Sequence, residues 1–330
     1  MSLAKRTAAV ALSGAFALTA SAAFAAPKEI TVAYFLEWPT ANQVAQLEKT
    51  YDKAMGVSVK WRAFKTGVAM SAAMASNSVQ ISYSQGLVPF TLAVSKGLPI
   101  KIVGVAVSYA ENDNCVVYKG ANITKANAKD LEGKKVSVPI GTVAHYKMLR
   151  TLEHLKVDAT KVKIVNMAPA EGAAALSRGD LAMSCGWGGA LRRMKAHGKV
   201  LLTAAEQEAI GIRVFDVISV TNKFAKEHPE LVTKFLQVTN DANKAYAANP
   251  DKFRATIAKA AGMKLSDSNQ VIDLFKFPTA EEQRSKAWMG GTVQDFTKQV
   301  ADFYVKQKKL PKALADYGTV IDASFLKDVK

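Results

Sequence analysis

The amino-acid sequence predicts an α/β protein with two lobes and a cleft between them. Short β-rich runs alternate with helical patterns of about 10–15 residues, which is typical of largely parallel sheets flanked by helices. The alternation occurs in two blocks, before and after residue 115, and the chain from Pro229 onward is nearly all helical. With 330 residues, 49% of them hydrophobic, the chain is long enough for two lobes of about 150 residues each.

The first block is predicted to hold four strands and three helices. β-Branched and aromatic residues mark the strands, which are expected at 30–34, 57–64, 79–83 and 100–107. The helical patterns cover 44–55, 68–75 and 89–96. Gly56 and Gly97 follow two of these helices directly and are expected to end them.

The second block repeats this alternation. Its predicted strands are 115–118, 136–138, 162–165, 181–184 and 214–220, and its helices are 143–155, 171–178 and 190–196. Thr142 follows the turn Pro139-Ile140-Gly141 and is expected to cap the first of these helices.

Residues 1–25 have the organisation of a secretory signal peptide. Lys5 and Arg6 give a positive start, 10–20 is an apolar run, and Ala23-Phe24-Ala25 predicts cleavage before Ala26. The apolar run is shorter than the roughly 20 residues that a membrane-spanning helix needs. We therefore expect an exported protein, which argues against chemistry that depends on ATP, NAD or coenzyme A, and we expect no cofactor.

The positive charge of the chain does not indicate a nucleic-acid partner. Removal of residues 1–25 lowers the net charge from +16 to +14, because only Lys5 and Arg6 are lost. The remaining lysines are dispersed, and no basic tail with interleaved aromatic residues is present. Such a surface is ordinarily solvated, and it also raises the local concentration of an anionic ligand.

The two cysteines, Cys115 and Cys185, both follow the predicted cleavage site. An even pair in an oxidising compartment suggests one disulfide, and the alternatives are two buried thiols or a metal pair. Neither cysteine lies in a CxxC sequence or beside a histidine, and the four histidines are scattered. We therefore expect no metal site.

No catalytic motif stands out in the sequence. There is no GxSxG elbow and no HExxH sequence, and no Ser-His-Asp set is apparent. A binding protein is therefore the expected function, with an enzyme as the alternative.

Several segments carry a resemblance to a known family. They are ITVAYFLEWP at 30–39, VKWRAFKTG at 59–67, LEGKKVSVPIGTVAHY at 131–146 and LSRGDLAMSCGW at 176–187. In this order and spacing the chain resembles the periplasmic substrate-binding proteins of taurine and aliphatic sulfonate ABC importers. The likeness covers nearly all of the chain after residue 25. It implies a periplasmic location and an ABC permease in the inner membrane as partner, and we expect a monomer.

The resemblance also implies a type II periplasmic-binding-protein-like fold. Lobe one would combine 26–114 with 216–330, and lobe two would be 115–215. The connections between the lobes are expected near 113–117 and 214–220. On this map a Cys115–Cys185 disulfide would fasten a hinge strand to the sheet of lobe two.

The anionic end of a sulfonate is expected at a helix N-terminus. Thr142 and Val143 begin the helix predicted at 143–155, where unpaired N–H groups carry partial positive charge. Gln85 and Gly86 follow the strand at 79–83 and are the expected donors from lobe one. Thr142 would act as a helix cap in either case.

The ammonium end of a taurine-like ligand is expected at a carboxylate. In the resembled family an acid at the position of Asp216 faces the cleft, and here it lies in the apolar strand 214–220. A buried carboxylate needs a partner, and the alternative partner is a cation such as Arg213. Glu37 is the second expected carboxylate, with a surface-loop role as its alternative.

Aromatic residues are expected to cover the ligand. Trp187 matches a tryptophan of the family and would contact an ammonium through its ring. Trp38 is a further expected contact, Trp288 is a weaker one, and His145 lies one turn into the helix of Thr142. For all of these, ordinary packing is the alternative role.

One segment departs from the family pattern. Trp187 is followed by Gly188-Gly189, where the sulfonate binders usually have Ala-Pro, and the run 111–115 is unusually polar. The floor of the pocket is therefore expected to differ. Nitrate, a thiamine-pyrimidine precursor or another zwitterionic amine remain alternative ligands within the same superfamily.

Overall fold

The structure is a computed structural model that describes residues 27–330. The predicted signal peptide and the bond before Ala26 lie outside the described residues. The strands are β1 (Glu29–Phe35), β2 (Ser58–Phe64), β3 (Ile81–Gly86), β4 (Ile100–Ser108), β5 (Asp113–Tyr118), β6 (Lys135–Val138), β7 (Lys163–Asn166), β8 (Met183–Trp187), β9 (Gly198–Val200) and β10 (Phe215–Thr221).

Helices follow most of these strands. They are α1 (Gln43–Leu47), α2 (Thr50–Met55), α3 (Gly67–Ala75), α4 (Leu87–Ser95), α5 (Val143–His154), α6 (Pro169–Ser177), α7 (Gly188–Lys195), α8 (Ala204–Ala209), α9 (Asn222–Glu227), α10 (Pro229–Ala248), α11 (Pro250–Ala260), α12 (Leu265–Ile272), α13 (Ala280–Arg284) and α14 (Thr292–Lys306).

The strands form two five-stranded sheets. The order in the first sheet is β2-β1-β3-β10-β4, and the order in the second is β7-β6-β8-β5-β9. Each sheet contains one strand that runs against both of its neighbours, β10 in the first and β5 in the second. These are the first strands that the chain forms after each passage between the sheets.

The predicted two-lobe α/β organisation is therefore confirmed at the level of the sheets. The first sheet takes its strands from 29–108 and 215–221, and the second takes its strands from 113–200. Asp113 and Phe215 are the first residues of β5 and β10, so the strands begin one or two residues before the expected lobe limits. The limits at 114/115 and 215/216 themselves stay a prediction.

Central strands are buried along their whole length. Every residue of β3 and β10 is buried, as expected for strands covered by helices on both faces of a sheet. Polar side chains within them must therefore find partners inside the protein. This requirement positions the functional residues described below.

Short elements account for the local differences from the prediction. The single helix expected at 44–55 is two helices, because Lys49 takes a left-handed conformation with φ 55° between them. The prediction also omitted β9, α8 and α9. A signal for α8 is present in the sequence, since Thr203 and Glu206 form a capping box.

The disulfide predicted between Cys115 and Cys185 is present. The two residues face each other directly across the antiparallel pair β5–β8, and the same register places Asp113 opposite Trp187. The bond therefore lies within the second sheet, two residues along the strands from a pair that lines the cavity described next.

We predict that replacing both cysteines, Cys115→Ala with Cys185→Ala, lowers the free energy of unfolding by roughly 2–4 kcal/mol. The bond closes a loop with a sequence separation of 70 residues, and its loss frees the unfolded chain. Urea unfolding followed by circular dichroism measures the change. A reducing agent should lower the unfolding midpoint of the original protein by the same amount as the double substitution. It should leave the midpoint of the variant unchanged. An unchanged midpoint in the variant would contradict the expected stabilisation.

Candidate functional site

A small cavity lies between the two sheets, and its roughly 290 Å³ of space free of protein atoms includes the opening to solvent. Three kinds of group line it, namely helix N-termini, aromatic rings and carboxyl groups.

Four helices begin at the wall of this cavity. Gly67 is the first residue of α3, Gly86 precedes α4, Thr142 and Val143 begin α5, and Trp187 precedes α7. The first N–H groups of a helix have no intrahelical acceptor, and each N-terminus carries partial positive charge. The arrangement can hold an anion without a cationic side chain.

The Thr142 side chain forms its hydrogen bonds within its own lobe. Its Oγ1 donates to the carbonyl of Pro139 at 2.6 Å and accepts from the backbone N–H of His145 at 3.4 Å. It therefore caps α5, as expected. A contribution of this segment to a ligand would come from the first backbone N–H groups of α5, which have no intrahelical acceptor.

Gly86 brings the two lobes into close approach. A Cβ atom at this position would lie 2.9 Å from Cγ2 of Val143 and 3.5 Å from Oδ1 of Asp216. A side chain here would occupy the space between Val143, at the start of α5, and the carboxyl group of Asp216.

Asp216 supplies one carboxyl group to the cavity and is only 2% exposed. Its Oδ2 accepts from Ser84 Oγ at 2.7 Å, and its Oδ1 accepts from the hydroxyl of Tyr109. Burial raises the pKa of Asp216 to about 8, although the hydrogen bonds from Tyr109 and Ser84 oppose this shift. Arg213, the alternative partner, instead lines a separate cavity near Lys276.

Asp113 supplies a second carboxyl group, which the sequence analysis did not single out. It is 1% exposed and lines the same cavity. Its Oδ1 has no hydrogen-bond partner among the described residues. Burial raises the pKa of its carboxyl well above the usual range, and the charge of Lys147 opposes the shift. The polar run 111–115 was the signal that could have identified it.

Aromatic rings enclose the carboxyl groups. Trp38 donates from Nε1 to Ser84 Oγ at 2.8 Å and packs edge-on against Tyr109, with 4.8 Å between ring centroids. Phe35 and Trp187 form a second pair at 5.9 Å. Rings of this kind stabilise an ammonium through cation–π contact, most strongly where water is excluded.

Two other predicted residues lie outside the cavity. Gln85 donates from Nε2 to Ser71 Oγ and to the carbonyl of Gly67, and it accepts from Ser219 Oγ. It supports the cavity wall at Gly67 rather than lining it. The ring of Trp288 packs on Phe215, 5.6 Å away, and lines the separate cavity that also contains Arg213.

Glu37 also lies outside the cavity and joins the two lobes. Its carboxylate forms a bidentate ion pair with Arg193 of α7, at 3.0 and 2.9 Å. Its backbone carbonyl accepts from the N–H of Gly189. Gly188 has φ 56°, and a Cβ there would lie 2.5 Å from the same carbonyl. The Gly188-Gly189 sequence thus allows a backbone contact between lobes that a larger residue would prevent.

His145 faces a different cavity, which Lys96, Tyr304 and Lys309 also line. Its Nδ1 lies 3.2 Å from the N–H of Gly141 and 3.2 Å from the hydroxyl of Tyr304. Nδ1 therefore acts as an acceptor, and the ring is neutral. Burial, with a contribution from the charge of Lys309, lowers the pKa of His145 to about 4.

The described residues 27–330 contain no group of three or more His, Cys, Asp or Glu side chains arranged to hold a metal ion. Within the same range, no helix combines the length and apolar character needed to cross a bilayer.

The comparisons with known proteins agree with this architecture. Residues 40–253 match the family described as "NMT1/THI5 like". The chain is 32% identical over 302 residues to the taurine-binding periplasmic protein of Escherichia coli K12, with 90% of this chain and 92% of that protein covered. The expected resemblance to this group of proteins is confirmed.

Solved structures show the fold. The alkanesulfonate-binding protein SsuA from Xanthomonas axonopodis, bound to MOPS, has a TM-score of 0.74 at 17% identity, covering 90% of this chain and 99% of that one. The expected type II periplasmic-binding-protein fold is therefore confirmed. The desulfurization enzyme DSZB has a TM-score of 0.65 at 15% identity, covering 92% and 99% of the two chains.

We predict that the protein loses stability relative to a His145→Gln variant as the pH falls from 6.5 toward 4. The folded state keeps His145 neutral in this range, whereas the unfolded state binds a proton. The difference in free energy of unfolding between the original protein and the His145→Gln variant should change by up to about 1.4 kcal/mol per pH unit. Denaturant unfolding at pH 7, 6 and 5 measures it. The exposed His154→Gln change serves as control, and a pH-independent difference for His145→Gln would contradict the prediction.

Proposed function

The chain belongs to the NMT1/THI5-like family, and we propose that it is the solute-binding component of an ABC importer for taurine or a related aminoalkanesulfonate. The observation that carries this proposal is the presence of two complementary kinds of group in one small cavity. Helix N-termini offer N–H groups to an anion, and the carboxyl groups of Asp216 and Asp113 can accept a cation.

A sulfonate suits the end formed by the helix N-termini. It is ionised at every physiological pH and has three acceptor oxygens, so several N–H donors can hold it at once. Partial positive charges are sufficient, because a sulfonate that is already ionised needs electrostatic stabilisation and no proton donor. The amine of taurine, two carbons away, would then lie between the carboxyl groups and the aromatic rings.

The alternative ligands fit this cavity less well. Nitrate brings no cation to place beside the two buried carboxyl groups, so it would compensate none of their negative charge. A pyrimidine precursor needs a flat stacking surface and more room than the space between Trp38 and Tyr109, whose rings already pack edge-on. Other zwitterionic amines are the remaining competitors.

The expected binding energy is adequate for a scavenging protein. A hydrogen bond to a charged group contributes about 1.5–3 kcal/mol. Five or six such bonds, less the costs of desolvation and ordering, leave the roughly 8 kcal/mol of a micromolar site.

Closure of the lobes around the ligand is part of the proposal. Glu37–Arg193 is one of several ion pairs that join the lobe of the first sheet to the lobe of the second. The others are Lys65–Glu171, Arg192–Asp267 and Lys306–Glu153, at 2.8–3.1 Å. Each is at least partly exposed and contributes little alone. Together they favour the closed arrangement that excludes water, with hinge motion at the two connections between the sheets.

Export to the periplasm, delivery to a membrane permease and a monomeric state belong to the same proposal. The likeness to a periplasmic taurine-binding protein supports the first two. We also propose binding without catalysis. Incubation with taurine followed by mass spectrometry tests this point, because chemical turnover of the ligand would contradict it.

A thermal-shift screen of taurine, ethanesulfonate, sulfate, nitrate and quaternary amines tests the ligand class. A ligand raises stability by RT ln(1 + [L]/Kd), so selectivity appears as an ordered series of shifts. We expect the largest shift from taurine. A larger shift from nitrate or from a quaternary amine would overturn the assignment.

We predict that Asp216→Asn weakens taurine binding roughly 10- to 100-fold, because it removes a hydrogen-bonded charge from the ammonium end. Binding of ethanesulfonate, which lacks the amine, should change by less than about threefold. Isothermal titration of both ligands measures the two affinities. An equal loss for both would remove the ammonium role of Asp216.

We predict that Val143→Pro weakens all sulfonates alike. Proline is well tolerated at the first position of a helix and removes one N–H group there. Thr142 is extended, with ψ 174°, and so accepts a following proline. The loss should be roughly tenfold for one charge-assisted hydrogen bond. Leu265→Pro, at the first position of α12 and outside the cavity lining, is the control for a proline at a helix start. Unchanged affinity in Val143→Pro would exclude this N–H from the site.

A further inference from the structure

The cavity holds two buried carboxyl groups, whereas a taurine-like ligand brings only one cation. Asp113 and Asp216 both line it, both are at least 98% buried, and Asp113 Oδ1 lacks a hydrogen-bond partner among the described residues. The charge of Asp113 contributes to the raised pKa of Asp216. Two carboxylates in one dry site are not both ionised without compensation.

Lys147 of α5 supplies part of that compensation. It is fully buried, and its Nζ donates to the backbone carbonyls of Ala110 and Asp113. No carboxylate lies within ion-pair distance of it among the described residues. Its charge lowers the pKa of Asp113. The other charged and titratable groups that interact with these three residues are Tyr83, Tyr109, Glu111, Lys195 and Glu208.

A charge count follows from these contacts. Two ionised carboxylates and one protonated lysine leave one uncompensated negative charge in the buried cluster. Ionising both carboxyl groups in the empty cavity is therefore costly, and burial raises the pKa of each. One bound proton removes the excess charge. One ligand ammonium also removes it.

We propose that Asp113 selects ligands that carry an ammonium group, and that such a ligand displaces one proton from the Asp113–Asp216 pair as it binds. The displaced proton passes to the solvent, and the carboxylate that loses it pairs with the ligand's nitrogen. This inference rests on the proposed function, because it concerns the same cavity and assumes a sulfonate at the helix N-termini.

The sign of the pH dependence follows from this exchange. In the pH range in which the empty cavity retains its proton, taurine affinity should rise about tenfold per pH unit, because one proton is released for each ligand bound. Ethanesulfonate brings no cation and should show no such rise. The useful range is pH 5.5–7.5, because burial lowers the pKa of Lys147 and its loss of charge would enter at higher pH.

Isothermal titration tests the exchange directly. Taurine is titrated at pH 6.5 in two buffers of different ionisation enthalpy, and the difference in heat gives the protons released. We expect about one proton for taurine and none for ethanesulfonate. Taurine that binds without proton release and with a flat pH profile would overturn the inference and leave the proposed function intact. Absence of binding by any sulfonate would overturn the proposed function instead.

The variant Asp113→Asn tests the role of the residue. We expect taurine affinity to fall at least tenfold, proton release to fall below half, and ethanesulfonate affinity to hold or rise. The exposed Asp180→Asn variant is the matched control and should behave as the original protein. Unchanged taurine affinity in Asp113→Asn would overturn the selective role.

A separate measurement distinguishes this role from damage to the fold. A buried carboxyl with a raised pKa costs stability as the pH rises, because the folded state holds a proton that the unfolded state releases. The unliganded Asp113→Asn protein should therefore melt at or above the temperature of the original protein at pH 7.5. Should this variant fold poorly, the pH profile and proton count of the original protein still decide the proposal.

Discussion

The buried carboxyl group of Asp216 is the constraint on which the arrangement of the cleft depends. A carboxyl group near the start of a fully buried strand needs hydrogen-bond donors, and here they come from Ser84 on β3 and Tyr109 on the connection between the sheets. Ser84 in turn accepts from Trp38, which follows β1. One chain of hydrogen bonds thus fixes the ends of three strands and a tryptophan around the cavity, and the ligand-facing geometry follows from satisfying one polar group.

In the second lobe, the register between β5 and β8 positions the residues that line the cavity. The disulfide between Cys115 and Cys185 joins directly opposed residues of β5 and β8, and the same register sets Asp113 opposite Trp187. A shift of one residue would turn Asp113 away from the cavity, since alternate residues of a strand face opposite sides. After Trp187, two glycines allow the backbone to contact Glu37 of the other lobe. The departure from the usual Ala-Pro is therefore compatible with a tight closure.

Much of the fold and part of the cavity could be predicted from the sequence, because both depend on local patterns. The strand and helix alternation is periodic, and Thr142, Trp187 and Asp216 stand at recognisable ends or interruptions of apolar runs. Gln85 is adjacent to the lining residue Gly86, but the left-handed Ser84 alters the direction of the strand end, and no pattern reveals this. Asp113 depends on pairing with a strand 70 residues later, and the partner of Glu37 lies 156 residues away. Tertiary contacts of that range leave no trace in periodicity.

The two ends of the cavity differ in how they discriminate. Helix N-termini offer several partial charges to any small anion, so that end provides affinity with modest selectivity. Buried carboxyl groups impose a stricter condition, because an uncompensated charge there is costly whereas a paired one is not. In the exchange that we propose, a ligand without an ammonium would leave these carboxyl groups to be neutralised by a proton, and a ligand with one would replace the proton. Under the proposed function, selectivity for a zwitterion over a simple sulfonate would therefore reside in Asp113, Asp216 and Lys147, and not in the groups that hold the sulfonate.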